Sequence, residues 1–207
     1  MSEHTLQRQM CIRDSSWLAQ LEAASMSTDT RVLAWDAPGY GQTQAVSSAH
    51  PVATDYAQRM WAWLDALHLT SPITLVGHSL GAIMAASAAR IQPEKRAGAM
   101  LSSHASSEYI AFVQSVMAQV NVAGYTQATH LLAQGDVLTD LKEWSGSLVI
   151  ASGRADTVTP ASGCQALAKS CDVAWHDLGE VGHACALEAA LAVNVLLKLK
   201  SPDKAIA

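Results

Sequence analysis

Cationic residues are scarce in this chain: 13 Lys and Arg stand against 18 Asp and Glu, a formal charge of -5 over 207 residues. Without a basic patch there is no electrostatic footprint for a phosphate backbone or an anionic lipid surface, so neither nucleic acid nor membrane is an expected partner. Cysteine is scarce too. Cys11, Cys164, Cys171 and Cys185 form no C-x-x-C pair and no Cys/His spacing of a zinc site. Free thiols in a reducing compartment are expected, with no metal and no disulfide framework. Long apolar runs are also missing. The first thirty residues carry Arg8, Arg13 and Asp14, and the most apolar stretch near the C-terminus is broken by Glu188 and Asn194. Neither a secretory signal nor a spanning helix is expected, which makes the cytoplasm the default location.

What is present is a chain half hydrophobic in composition, long enough for one domain with a substantial core. Residues 1–15 are polar and aperiodic, without a strand-like run; the stretch from Met10 to Ser15 resembles translated adapter sequence, the alternative being a disordered natural tail. From Ser16 the pattern becomes regular. It predicts a short helix through Trp17, Leu18 and Leu21, a strand from Arg31 to Trp35, a helix from Ala53 to Leu67 and a strand from Ile73 to Val76. A helix from Leu80 to Ile91 ends at Pro93, and a weak strand is predicted from Ala97 to Leu101. Tyr109 to Leu141 is mostly helical, punctuated by Gly124 and Gly135. Strand, helix, strand and helix follow at Leu148 to Ala151, Ala161 to Lys169, Val173 to His176 and Ala184 to Lys200. Such alternation predicts an α/β fold, a mostly parallel sheet covered by helices on both faces.

Between one strand and the next helix lies Gly77-His78-Ser79-Leu80-Gly81, a G-x-S-x-G pattern in a strand-turn-helix setting. The setting carries the meaning. A serine on so sharp a turn projects its hydroxyl from the sheet, the glycines leave room for the turn, and the Leu80 amide at the helix N-terminus can stabilise an oxyanion. A serine alone is a poor nucleophile and needs a general base oriented by an acid. Asp156, in Ser152-Gly-Arg-Ala-Asp156, and His183, after Gly182, each lie just past the carboxyl end of a predicted strand, where open parallel sheets gather their sites. Asp172 and Asp177 are the rival acids. The other histidines, His50, His68, His104, His130 and His176, lack a comparable setting, and His78 occupies the variable position of the elbow.

The order Ser79, Asp156, His183, together with the turn Asp36-Ala-Pro-Gly-Tyr-Gly41, resembles the α/β-hydrolase superfamily, in its branch of small bacterial esterases, lactonases and carbon-carbon bond hydrolases. The resemblance runs over 16–207 and implies a serine hydrolase of carboxylesterase type. It cleaves an ester, lactone or thioester through an acyl-enzyme on a small-molecule acyl substrate, needs no cofactor, and acts as a monomer or homodimer. Two departures are expected. Family members place a strand and a His-Gly loop before the segment matching Trp17, and this loop gives a second oxyanion donor. Here residues 1–15 stand in that place, so the first strands and the donor are expected to be missing, at a cost of about a hundred- to a thousand-fold in rate. The helical cap, about 102–144, is short; Tyr109, Phe112, Val113, Val116 and Met117, with His78, are the candidate pocket walls. The alternatives are hydrolysis of a carbon-carbon bond in a ring-cleavage product, or a catalytically impaired fragment or binding protein.

Overall fold

The computed structural model describes residues 4–6, 14–27, 30–69, 73–92 and 122–199, with side chains from Ser16 onward. The predicted strand from Ala97 to Leu101, and Tyr109, Phe112, Val113, Val116 and Met117, lie outside the described residues.

Two helices make the best-packed part. The helix α2 (Ala53–Ala66; α1 is Leu18–Ser25) turns Tyr56, Ala57, Met60, Trp61 and Leu64 inward at helical spacing. It starts where the Val52 amide donates to the Asp55 carboxylate at 2.8 Å. The helix α3 (Leu80–Ile91) is buried from Leu80 to Ala89 on every side. Its alanines let α2 come close, and Trp61 Nε1 donates to the Ala88 carbonyl at 3.0 Å. At its far end the Arg90 guanidinium meets the buried Asp140 carboxylate at 2.6 Å, tying α3 to α5 (Val137–Lys142), the helix after α4 (Val122–Gln134).

The strands are short and parallel. Three form one sheet in the order β2 (Thr30–Arg31), β1 (His4–Leu6), β3 (Ile73–Thr74); two form another, β4 (Ile150–Ser152) beside β5 (Trp175–Asp177). Thus β1 corrects the reading of residues 1–15 as strand-free. Three residues are too few to display an alternating pattern, and ladder bonds from neighbours on both sides supply what the local sequence does not announce. The predicted strands at 31–35 and 73–76 likewise shrink to their first one or two residues in the ladder, although Leu75 and Val76 remain buried. The predicted closing helix is two, α7 (Cys185–Glu188) and α8 (Ala190–Leu196), broken at Ala189. Helix α6 (Ala161–Ser170) packs Cys164 and Ala168 against Ile150 and Leu141.

Gly135 does follow the end of α4, but Gly124 lies inside that helix. A side chain there would strike the backbone of Gly39, so Gly124 is a contact point between α4 and the Asp36 to Gly41 turn. Beneath the carboxyl ends of the strands, Val76, Ala151 and Leu178 share a buried cluster with Trp17, Cys185, Ala186 and Val193. This cluster carries the loops that follow β3, β4 and β5.

Candidate active site

The turn from β3 into α3 is strained at one residue. Ser79 has φ 52° and ψ −125°, a region that a non-glycine residue occupies at a cost of about 1–3 kcal/mol. Its surroundings enforce it: the Gly81 amide donates to the His78 carbonyl at 2.8 Å and the Ala82 amide to the Ser79 carbonyl at 2.9 Å. A Cβ at Gly77 would lie 2.4 Å from the Gly81 carbonyl oxygen, so only glycine fits there. Leu80 is the first helical residue, and its amide belongs to the first-turn donors that no helical carbonyl can reach.

The loops after β4 and β5 bring the other predicted residues to this turn. His183 Nε2 stands 2.9 Å from Ser79 Oγ, across 104 residues of sequence. Its other nitrogen, Nδ1, is 3.5 Å from Asp156 Oδ2 and 3.5 Å from Thr159 Oγ1. The Asp156 side chain is fully buried, while that of His183 is 27% exposed and so open to a ligand. Asp156 Oδ1 accepts the Val158 and Thr159 amides, each at 2.7 Å, and Oδ2 accepts the Thr159 hydroxyl. Burial pushes the Asp156 pKa up, but the Thr159 hydroxyl, these amides and the charge of His183 outweigh it and hold the carboxyl below its usual range. The turn-capping role that an aspartate before Pro160 suggests is therefore present as well, in the same side chain.

The rivals lie elsewhere. Asp177 pairs with the Arg154 guanidinium, which also holds Glu180 at 2.5 Å, and the Arg154 amide donates to the Gly179 carbonyl at 2.8 Å. Arg154 thereby links the loop of Asp156 to the loop of His183. Asp172 is exposed in the turn after α6. His50 and His130 meet each other, Nδ1 to Nε2 at 3.3 Å. His78 is buried with its ring 4.9 Å from that of His183.

Two further residues at the site belong to no sequence motif. Thr159 follows Asp156 by three residues, the interval at which an aspartate captures a hydroxyl and an amide in one turn. Glu188 follows His183 by five, and its carboxylate accepts the Gly182 amide and the Ala184 amide, each at 3.2 Å. Burial raises the Glu188 pKa to about 7, against the pull of the Ala184 amide and of His78. Among the described residues no group of three or more His, Cys, Asp or Glu could hold a metal ion. No described helix is long and apolar enough to cross a membrane.

Parallel strands, a strained serine turn and two loops converging on it define an α/β-hydrolase architecture. Residues 12–193 match the Alpha/beta hydrolase family, and the chain belongs to that family; by family it is a hydrolase. Solved structures agree on the architecture. The enol-lactonase of Burkholderia xenovorans is similar with a TM-score of 0.83 at 14% identity, covering 96% of this chain and 91% of its own. The thermophilic esterase of Thermogutta terrifontis gives 0.78 at 19% identity, covering 95% and 89%. The meta-cleavage product hydrolase of Pseudomonas fluorescens gives 0.70 at 16% identity, again covering 95% and 89%. Identities this low speak for the fold alone. No curated protein matches the chain by sequence.

Proposed function

We propose that the protein is a serine hydrolase that cleaves a carboxylic ester, lactone or thioester through an acyl-enzyme on Ser79. The observation that carries this reading is the 2.9 Å approach of His183 Nε2 to Ser79 Oγ, with Asp156 on the opposite ring nitrogen. An ionised Asp156 selects the tautomer with hydrogen on Nδ1, which leaves the Nε2 lone pair to receive the serine proton. The 3.5 Å separation between Asp156 and the ring is long, as such contacts are before substrate binds.

In the first half-reaction Ser79 Oγ bonds to the carbonyl carbon as its proton passes to His183 Nε2. The Leu80 amide at the positive end of α3 stabilises the oxyanion. The imidazolium then protonates the leaving alkoxide, lactone oxygen or thiolate as its bond to the acyl carbon breaks. In the second half, water attacks the acyl carbon, gives its proton to His183, and Ser79 leaves with that proton restored. One ester and one water become one acid and one alcohol. Small-molecule acyl compounds are the substrate class; metal and organic cofactors have no step to perform, and the soluble, cytoplasmic setting remains part of this proposal.

Burst kinetics test it. With a short activated ester, the chain should release about one equivalent of alcohol per site before the steady state, and Ser79→Ala should release none. Steady hydrolysis without dependence on Ser79 would overturn the reading. Carbon-carbon hydrolysis of a ring-cleavage product is the second reading, since the meta-cleavage product hydrolase is built on the same fold as the lactonase and the esterase. It predicts turnover of a vinylogous diketone substrate and none of the ester.

A further inference from the structure

The His183 ring meets Ser79, Asp156, Thr159 and His78, but the backbone beneath it is held from one side. Its side chain is partly exposed, its Asp156 partner is 3.5 Å away, and the loop that carries it, 179–184, lies outside any strand or helix. The direction of the imidazole depends on the backbone on either side of it as well as on these ring contacts. Both flanking amides go to one group: Gly182 N–H to Glu188 Oε2 and Ala184 N–H to Glu188 Oε1. That group has a firm mount. Glu188 ends α7, where Cys185 and Ala186 are buried and the Ala186 carbonyl accepts Gln20 Nε2 at 2.8 Å, with Gln20 itself fully buried on α1.

Resting on the serine-hydrolase reading above, we propose that Glu188 is the positioning residue of the base: its two oxygens hold the amides that flank His183 and so fix the imidazole over Ser79. Both oxygens are full acceptors only when the carboxyl is ionised; protonation turns one into a donor facing an N–H. Because burial brings this carboxyl up to about 7, the clamp closes over the same pH range in which a histidine becomes a base. Among the described residues, few titratable groups surround it. His78 faces it from the elbow and favours its ionisation. Helix α1 brings only the exposed Glu22, and α8 carries no titratable side chain. The turn Asp14–Trp17 brings Asp14, whose side chain is outside the described residues. Among the described residues, His183 and the buried Cys185 of the same helix are the other neighbours.

The test is the pH dependence of kcat and KM for a short activated ester in wild type, Glu188→Gln and Glu188→Asp, with far-ultraviolet circular dichroism as the folding control. Gln offers one acceptor and a donor, so kcat should fall about tenfold with KM within about twofold, the signature of a misplaced catalytic group rather than a lost binding contact. On the acid side, log kcat should steepen to a slope of about 1.5 in wild type, where protonation of Glu188 adds up to about tenfold to the loss of the base, and stay near about 1 in Glu188→Gln. Asp keeps two oxygens on a shorter stem and should recover part of the rate. Wild-type kcat in Glu188→Gln, or a raised KM at unchanged kcat, would overturn the proposal, as would equal acid slopes. If Glu188→Gln does not fold, the wild-type slope decides alone, and a slope of about 1 rejects the clamp. A wild type that turns over no ester and shows no Ser79 dependence sinks the serine-hydrolase reading and this proposal together; an active enzyme indifferent to residue 188 sinks only this one.

Discussion

The acid turn and the base loop meet at His183 from opposite sides, and each is organised by one carboxylate that accepts two backbone amides. Asp156 is fully buried and Glu188 only half-buried, so burial alone would make Asp156 the weaker acid. The reverse holds: Asp156 lies below its usual pKa and Glu188 is raised to about 7. The difference is in the donors. Asp156 takes two amides at 2.7 Å and a hydroxyl besides, whereas Glu188 takes two amides at 3.2 Å. Short charge-directed hydrogen bonds outweigh desolvation in one loop and lose to it in the other. In the proposed mechanism, one carboxylate stays ionised to lower pH and orients the proton of the base, and the other is poised to hold its backbone.

The comparison can be broken most sharply at Asp156. Asp156→Asn should lower kcat about a thousand- to ten-thousand-fold, because an amide no longer selects the tautomer, while Asp177→Asn stays within about threefold. Equal loss from both would put the acid elsewhere. Next in size is Thr159→Val, which removes the hydroxyl from Asp156 Oδ2 and should cost about three- to tenfold in kcat. It should also raise the pH at which stability is lost on the acid side.

Stability against pH separates the two carboxylates by sign. Asp156, lowered in the fold, contributes stability that is present above its unfolded pKa and is lost as pH falls through the folded value. Glu188, raised in the fold, contributes stability that is full below its unfolded pKa and is lost as pH rises towards about 7. Thermal melts should therefore show Glu188→Gln gaining on wild type between about pH 5 and pH 8. A constant difference across that range would mean that Glu188 titrates normally. The smallest effect belongs to Arg154, whose exposed pairs with Asp177 and Glu180 link the two loops. Arg154→Ala should change kcat by less than about twofold, and the change should vanish at high salt.

That Ser79, Asp156 and His183 come together in space was legible because each sits at a fixed place relative to a strand end. G-x-S-x-G between a strand and a helix admits few other meanings, and the geometry at Gly77 gives the reason. The helices α2 and α3 were legible to within a residue, α2 because its buried face repeats over three turns and α3 because an alanine-rich run without a breaker ends at Pro93. What stayed hidden is what repeats over nothing. β1 has three residues, and its evidence lies in its two neighbours. Thr159 and Glu188 act through hydrogen bonds between a side chain and nearby backbone, which leave no periodic trace. The break between α7 and α8 at Ala189 falls in an alanine-rich run with no Gly or Pro to mark it.

The contact between His183 and Ser79 is the centre of the account, and a fluorophosphonate probe reads it directly. Intact protein should take up one phosphonyl group, located by mass spectrometry on Ser79, and His183→Ala, equally folded, should take up almost none in the same time. No labelling of folded wild type, or equal labelling of His183→Ala, would contradict it.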